Sequence, residues 1–131
     1  MARILLTEDD EAVRTFVKRA LELDGHAVQA VEDGGEAAEA LDHEEGHFDL
    51  LLSDIMMPVM DGIALAMQTS ENFPGLPILL MTGFADQRER TSEVEEVVHD
   101  VISKPFSLAD IRRAVRHALS GVQQDDHRLY A

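Results

Sequence analysis

The alternation of short apolar runs with longer stretches of helical periodicity constrains the fold more than any other feature of the chain. The apolar runs occupy residues 4–6, 26–31, 49–54, 77–82 and 101–103. Helical stretches follow them at residues 11–24, 37–41, 62–71, 87–98 and 107–121. Strands that alternate with helices pair in parallel, and the helices cover both faces of the sheet. The sequence therefore predicts an α/β fold built on a parallel sheet.

Each predicted helix has an apolar face that we expect to pack on the sheet. These residues are Val13, Phe16, Val17, Ala20 and Leu21 in the first helix, Ala37, Ala40 and Leu41 in the second, Ile63, Ala66 and Met67 in the third, Val94, Val97 and Val98 in the fourth, and Leu108, Ile111, Val115, Ala118 and Leu119 in the last. The fourth helix is mostly charged and is expected to be the least firmly packed. Asp33, Gly34 and Gly35 predict a turn before the second helix. Ser107 and Asp110 predict a capping box that begins the last helix.

Composition sets limits on the domain organisation and on the partners. The chain has 131 residues, of which 45% are hydrophobic, enough for one domain with a buried core. We expect this domain to span residues 1–121 and residues 122–131 to form a polar, flexible tail. The formal net charge of −15 repels nucleic acid, and no apolar run approaches the ~20 residues of a membrane span. Without cysteines or a signal peptide, the protein is expected to be soluble and cytoplasmic.

Carboxylates follow two of the predicted strands. Glu8 and Asp9 come directly after the first strand, and Asp54 ends the third. In a flavodoxin-like sheet these strands are neighbours, so the carboxylates meet at the C-terminal edge, where open α/β sheets bind ligands. Carboxylates that lie close together repel one another, and a hard divalent cation such as Mg²⁺ relieves this repulsion. Taken alone, the acids also fit a solvated loop and a helix N-terminus, where negative charge is favourable.

Two further polar residues end the other strands of this edge. Thr82 closes the fourth strand and Lys104 closes the fifth. Each is ordinary by itself, since threonine is common in strands and lysine on surfaces. Together with Asp54 they supply a hydroxyl donor, a compact positive charge and a nucleophilic carboxylate. Their joint position favours a site that takes up a phosphoryl group.

The motifs that hold these residues are Glu8-Asp9, Asp54 with Met57-Pro58 and Asp61-Gly62, Thr82-Gly83, and Lys104-Pro105-Phe106. This combination resembles the receiver domains of two-component response regulators, over roughly residues 2–120. The resemblance implies a flavodoxin-like (βα)5 receiver with the strand order 2-1-3-4-5. It also implies a regulatory protein with slow self-dephosphorylation rather than an enzyme. The phosphodonor would be a histidine kinase or a histidine phosphotransferase.

For the phosphoryl group, the resemblance implies that Asp54 is the phosphoacceptor. Thr82 and Lys104 would bind the phosphoryl oxygens. The bond between Lys104 and Pro105 would be cis, a state that X-Pro bonds reach at modest cost.

For the metal, the resemblance implies a Mg²⁺ ion held by four residues. Asp9 and Asp54 would bind it through their side chains, Met56 through its backbone carbonyl and Glu8 through water. The long apolar side chain of Met56 is expected to slow water attack on the acyl phosphate. Many receivers carry an aromatic residue where this chain has Val101, so transmission of the switch through an aromatic side chain is not expected here.

Longer stretches resemble one group within this family, the CpdR-type single-domain regulators of alphaproteobacteria. These stretches are residues 1–6, 8–10, 23–26, 61–66, 76–85 and 101–106. The resemblance implies output through protein contacts in cell-cycle control. The unphosphorylated form would be an adaptor that binds the N-terminal domain of the ClpX unfoldase and primes ClpXP proteolysis. Two alternatives stay open: a receiver with another role, such as a phosphate sink or motility regulator, and a Mg²⁺-dependent aspartyl-phosphate phosphohydrolase.

Two basic helix faces are candidate docking surfaces. Their residues are Arg14, Lys18 and Arg19 on the first helix and Arg112, Arg113 and Arg116 on the last. The first face is a candidate for receiving a phosphotransferase. A solvated helix surface explains both faces about as well.

Overall fold

The computed structural model describes residues 1–83 and 90–120. Its strands are β1 (Arg3–Thr7), β2 (Ala27–Val31), β3 (Leu50–Asp54), β4 (Ile78–Thr82) and β5 (Asp100–Ser103). Its helices are α1 (Glu11–Leu23), α2 (Gly34–His43), α3 (Gly62–Asn72) and α4 (Leu108–Ser120), with a 3-10 helix at Thr91–Val94. The strands are parallel and lie in the order β2-β1-β3-β4-β5, which confirms the predicted flavodoxin-like sheet.

The two faces of the sheet carry separate apolar clusters, because side chains alternate along each strand. Leu5, Leu51 and Leu80 belong to the cluster beneath α2 and α3. Leu52 and Leu79 belong to the cluster beneath α1 and α4. All residues of β3 and β4 are buried, as expected for central strands covered on both sides. A one-residue slip would exchange the two clusters, so the packing fixes the register that positions the strand ends.

The start of α2 corrects one prediction. Residues 33–35 were predicted to form a turn, but Asp33 is the N-cap of α2, and Gly34 and Gly35 belong to the first turn of the helix. The Glu36 backbone N–H donates to Asp33 Oδ1 at 2.8 Å. A Cβ on Gly34 would lie 1.9 Å from the Met60 carbonyl oxygen. This glycine therefore serves close backbone packing, which a turn-residue pattern does not distinguish from a turn.

Three predicted core residues are exposed instead. Phe16 is 41% exposed, Met67 is 43% exposed and Val97 is 37% exposed. Along α1 the fully buried stripe is narrower than predicted, and Phe16 lies beside it at the rim of an open cavity of about 450 Å³ next to Phe106. In α3 it is Leu65, not Met67, that completes the buried face.

The predicted fourth helix is only partly described, since residues 84–89 lie outside the described residues. Within the described part, the prediction of an α-helix up to residue 98 is wrong: a 3-10 helix ends at Val94 and turns follow. Among residues 90–98, only Val94 and Val98 are buried. Two apolar anchors in a charged stretch give a long helix little packing energy, and most helical stability in proteins comes from packing.

The start of α4 confirms the predicted capping box. The Asp110 N–H donates to Ser107 Oγ at 3.0 Å, and the Ser107 N–H donates to Asp110 Oδ2 at 3.1 Å. These bonds satisfy backbone donors that a helix start leaves unpaired. Among the described residues, no helix is long and apolar enough to cross a membrane.

Gly62 links the fold to the edge of the sheet and gives a stability prediction. A Cβ at this position would lie 2.2 Å from the Asp54 carbonyl oxygen and 2.8 Å from Ile55 Cα. We expect Gly62→Ala to lower the free energy of unfolding by about 1–3 kcal/mol, because the backbone must shift to admit the methyl group. Urea unfolding measures this change. Gly75→Ala is the matched control, since its Cβ would meet nothing within 4 Å; equal stability of the two variants would contradict the prediction.

Candidate functional site

The C-terminal edge of the sheet gathers the polar residues that the sequence singled out. The register brings the strand ends together at this edge, with Thr7 opposite Ser53, Asp54 opposite Met81 and Thr82 opposite Ser103. Residues that end or follow the strands therefore lie along one line, in the order Glu8, Asp54, Thr82 and Lys104. Buried strands deliver their polar ends to a single place on the surface.

Three carboxylates meet at this edge. One oxygen from each of Glu8, Asp9 and Asp54 lies within 4.8 Å of the others. Glu8 is fully buried and Asp54 is 6% exposed, whereas Asp9 faces solvent. Backbone N–H groups fix the two buried carboxylates: Asp10 donates to Glu8 Oε2 at 3.1 Å, and Ile55 donates to Asp54 Oδ1 at 2.9 Å. The cluster is thus positioned by the chain itself.

Lys104 supplies the positive charge beside these acids. Its Nζ lies 2.7 Å from Glu8 Oε1 and 3.1 Å from Asp54 Oδ2. The Lys104 backbone N–H donates to the Thr82 carbonyl at 2.7 Å, which ties the end of β5 to the end of β4. Thr82 is 2% exposed. The bond between Lys104 and Pro105 is cis, as the resemblance implied.

The loop after Asp54 has a strained backbone. Val59 has φ 70°, which is rare for a β-branched residue. The Met60 N–H donates to the Pro58 carbonyl at 2.8 Å, closing a three-residue turn around Val59. The close approach of Gly34 to the Met60 carbonyl supports this turn from the side of α2. Such strain persists where the surrounding structure holds it, and it is frequent at functional sites.

The chain matches the family model of the response regulator receiver domain over residues 4–116. It belongs to this family.

Individual relatives agree with the family assignment. The receiver is 42% identical over 119 residues to the response regulator receiver protein CpdR of Brucella abortus. The alignment covers 91% of this chain and 98% of CpdR. It is 34% identical over 124 residues to the response regulator MprA of Mycobacterium leprae, but covers only 54% of that protein's length. A receiver domain from Clostridium thermocellum has the same fold, with a TM-score of 0.83, 21% identity and full coverage of both chains.

Sequence reasoning missed one contributor to the geometry of the receiver's acidic edge. Arg14 donates from Nη1 to the backbone carbonyls of Glu8 at 2.9 Å and Asp9 at 3.4 Å. By sequence pattern alone, this arginine belongs to a candidate docking face on the first helix. An arginine one helical turn beyond an acidic loop is a usable signal, because helical side chains point toward the helix N-terminus.

The structure shows the surroundings of Met56 and Val101, the two residues expected to affect the phosphoryl lifetime and the transmission of the switch. The Met56 side chain is 55% exposed in the loop after β3. Val101 is partly buried and packs against the cluster beneath α2 and α3. Met56 as a carbonyl ligand and as a barrier to water stays a prediction.

Burial and neighbouring charges both shift the pKa values of Glu8 and Lys104. The pKa of Glu8 is raised to about 7, mainly by burial and to a smaller extent by the Asp54 charge, while the hydrogen bonds from Lys104 and the Asp10 N–H limit this rise. For Lys104, burial lowers the pKa, but its bond to Glu8 and the charge of Asp54 outweigh burial and hold the pKa above its usual value. One lysine therefore leaves the negative charge of three carboxylates only partly compensated.

The carboxylate cluster fits Mg²⁺. Its donors are all oxygens, they lie within 4.8 Å of one another, and Asp9 opens the cluster to water. Mg²⁺ prefers such carboxylates together with water ligands. Glu8, Asp9 and Asp54 are the residues that would hold it. When bound, the ion would cancel negative charge where a phosphoryl group approaches.

We expect Mg²⁺ to stabilise the folded receiver, because the carboxylate cluster that would hold the ion is absent from the unfolded chain. At a free concentration of about 100 times Kd the gain is about 2.7 kcal/mol. At one fixed Mg²⁺ concentration the gain should be larger at about pH 8 than at about pH 6, because the folded-state pKa of Glu8 is about 7 and the ion competes with its proton. Urea unfolding with Mg²⁺ or with EDTA at the two pH values measures it. Equal stability with and without Mg²⁺ at both values would contradict the metal site.

Proposed function

We propose that this receiver takes a phosphoryl group onto Asp54 and passes the signal on through protein contacts. The observation that carries the proposal is the position of the Asp54 carboxylate, which is nearly buried and contacts the Lys104 ammonium, as the Glu8 carboxylate also does. A phosphoryl acceptor needs a fixed carboxylate nucleophile and charge compensation, and catalysis of phosphoryl transfer is mainly positioning and electrostatics.

The transfer uses the residues of this edge in distinct roles. The bond that forms joins an Asp54 carboxylate oxygen to phosphorus. The bond that breaks joins phosphorus to the imidazole nitrogen of a donor histidine, on a histidine kinase or histidine phosphotransferase, and the imidazole takes up a proton. Lys104 then contacts the new phosphoryl oxygens, and the Thr82 hydroxyl donates a hydrogen bond to them.

The product changes the charge that Lys104 compensates. The phosphoryl group carries about 1.5–2 negative charges and replaces the single charge of the Asp54 carboxylate, so the site becomes more negative by about 0.5–1 charge beside the two remaining carboxylates. Lys104 is therefore drawn from Glu8 toward the phosphoryl oxygens. Because its backbone is bonded to Thr82, the ends of β4 and β5 respond together. This is a shift between two populations, set by one local charge.

A regulatory role fits the site better than hydrolytic turnover. A phosphohydrolase would need a general acid or base, and the candidate histidine is His99, directly before β5. Its backbone N–H donates to the carbonyl of Ile78, the first residue of β4. Asp54 pairs with Met81, at the other end of that strand. His99 is thus at the wrong edge of the sheet to serve a phosphoenzyme at Asp54.

On the similarity to CpdR of Brucella abortus, we propose further that the unphosphorylated form is an adaptor for ClpXP in the cytoplasm. Phosphorylation at Asp54 would end this activity. A phosphate sink or a motility regulator would share the chemistry of Asp54 but not the contact with ClpX.

Binding to the ClpX N-terminal domain tests the adaptor role. Unphosphorylated wild type and Asp54→Ala are expected to bind it, and wild type treated with a small phosphodonor and Mg²⁺ is expected to lose binding. Asp54→Ala given the same treatment is the control and should keep binding, since it cannot be phosphorylated there. Absence of binding by every form would overturn the adaptor role and leave phosphoryl uptake to be judged separately.

A further inference from the structure

The Arg14 side chain hydrogen-bonds the backbone of the loop that carries Glu8 and Asp9. The side chain is only 17% exposed, although Arg14 is on the surface of α1. Nη1 donates to the Glu8 carbonyl at 2.9 Å and reaches the Asp9 carbonyl at 3.4 Å. Nη2 lies 3.6 Å from Glu32 Oε1 at the end of β2. The guanidinium therefore joins α1, β2 and the loop of residues 8–10.

The hydrogen bonds of Arg14 do not use the carboxylate oxygens of Glu8 and Asp9, so these oxygens can still bind a cation. The bonds go instead to the backbone carbonyls of Glu8 and Asp9. Other restraints act elsewhere on the loop: the Glu8 N–H donates to the Val31 carbonyl at 3.2 Å, the Asp10 N–H and Lys104 bond the Glu8 carboxylate, and the Asp10 carboxylate caps α1. Arg14 is the side chain that fixes the peptide units carrying two of the three acids.

Neighbouring basic residues on α1 lack this arrangement. Arg19, five residues further along the helix, is exposed to solvent. The docking role considered for the basic face of α1 needs accessible charge, which Arg19 offers and the mostly buried Arg14 guanidinium does not. The planar fork of arginine can bond two carbonyls at once, whereas a lysine ammonium is a point charge without this geometry.

We propose that Arg14 is a positioning residue for the metal site: by fixing the backbone of Glu8 and Asp9 it sets the carboxylate geometry on which Mg²⁺ affinity depends. The inference rests on the proposed function, since it requires that the cluster bind Mg²⁺. Groups that orient metal ligands from outside the coordination sphere contribute about 10–100-fold to metal affinity.

The experiment measures Mg²⁺ binding by isothermal titration calorimetry to the full chain of four proteins: wild type, Arg14→Gln, Arg14→Lys and Arg19→Gln. We expect about 10-fold weaker binding for Arg14→Gln. Arg14→Lys should fall between this variant and wild type, because it keeps the charge but not the fork. Arg19→Gln removes the same charge from the same helix and should bind like wild type.

A second readout separates positioning from a general loss of structure. The rate of phosphorylation by acetyl phosphate is measured against Mg²⁺ concentration. Arg14→Gln should need about 10 times more Mg²⁺ for half-maximal rate and reach nearly the wild-type rate at saturation. If Arg14→Gln does not fold, Arg14→Lys carries the same test with a smaller expected shift.

Each outcome decides the inference. Wild-type affinity in both Arg14 variants would overturn it while leaving the receiver proposal intact, and so would an equal loss in Arg19→Gln, which would indicate general electrostatics. A lower saturating rate with unchanged Mg²⁺ dependence would also overturn it. If wild type itself binds no Mg²⁺, both the inference and the proposed metal site fail.

Discussion

Replacing Lys104 with glutamine is expected to destabilise the metal-free protein by about 2–3 kcal/mol at neutral pH and above. The substitution removes the cation that contacts both Glu8, which is fully buried, and Asp54. Losing one partner of a largely buried ion pair leaves uncompensated charge, which costs more than the pair contributes when intact. Urea unfolding in EDTA measures the difference from wild type.

The pH dependence makes this prediction specific to Glu8. The folded-state pKa of Glu8 is raised to about 7. The free energy of unfolding therefore falls as the pH rises from the pKa of Glu8 in the unfolded chain through its pKa in the folded protein. Without the Lys104 hydrogen bond the pKa of Glu8 rises further, so the loss continues to higher pH. The deficit of Lys104→Gln should therefore be small at about pH 5 and largest above about pH 8.

Lys18→Gln is the matched control, because Lys18 is the other lysine of the chain and lies on α1, away from the acidic cluster. It should change the free energy of unfolding by less than about 0.5 kcal/mol at every pH. A Lys104→Gln protein that is as stable as wild type above pH 8 would contradict the charge balance described for this edge.

Replacing Asp54 with asparagine is expected to abolish phosphoryl uptake and, at the same time, to stabilise the metal-free protein by about 1 kcal/mol at about pH 8. The Asp54 charge raises the pKa of Glu8, so its removal relieves repulsion in the folded state. The stabilisation by Mg²⁺ should be lost, because one of three carboxylates is gone. Urea unfolding with EDTA and with Mg²⁺ measures both effects.

Asp42→Asn controls for the loss of one negative charge, since Asp42 is exposed on α2. It should keep both phosphoryl uptake and the Mg²⁺ effect. An Asp54→Asn protein that is clearly less stable than wild type in EDTA would contradict this prediction. It would show that the Asp54 carboxylate stabilises the folded protein instead of lowering its stability.

The positions of the site residues followed from the sequence because they depend on a simple rule. Once the apolar runs are recognised as parallel strands, residues that end them must lie at one edge. Asp54 and Lys104 are far apart in the chain, yet their side-chain atoms lie 3.1 Å apart for this reason. Strand order and the identities at strand ends were enough to bring them together.

What could not be predicted depends on close packing rather than on periodicity. Gly34 has the pattern of a turn residue, and only the distance to the Met60 carbonyl shows that it permits contact between α2 and the loop after Asp54. Phe16 has helical spacing but lies beside a buried stripe that is narrower than the pattern suggests. Arg14 resembles a surface charge until its bonds to the loop carbonyls are seen. Each case involves the direction of a side chain or the separation of two backbones, which one-dimensional patterns do not encode.

Intact-mass measurement after incubation with phosphoramidate and Mg²⁺ tests the central claim most directly, with peptide mapping to locate the modification. Wild type is expected to gain one phosphoryl group, carried on the peptide that contains Asp54, and to gain none when EDTA replaces Mg²⁺. Asp54→Asn should gain none under either condition, and Asp42→Asn should behave like wild type. Equal phosphorylation of wild type and Asp54→Asn would contradict the assignment of Asp54 as the phosphoryl acceptor.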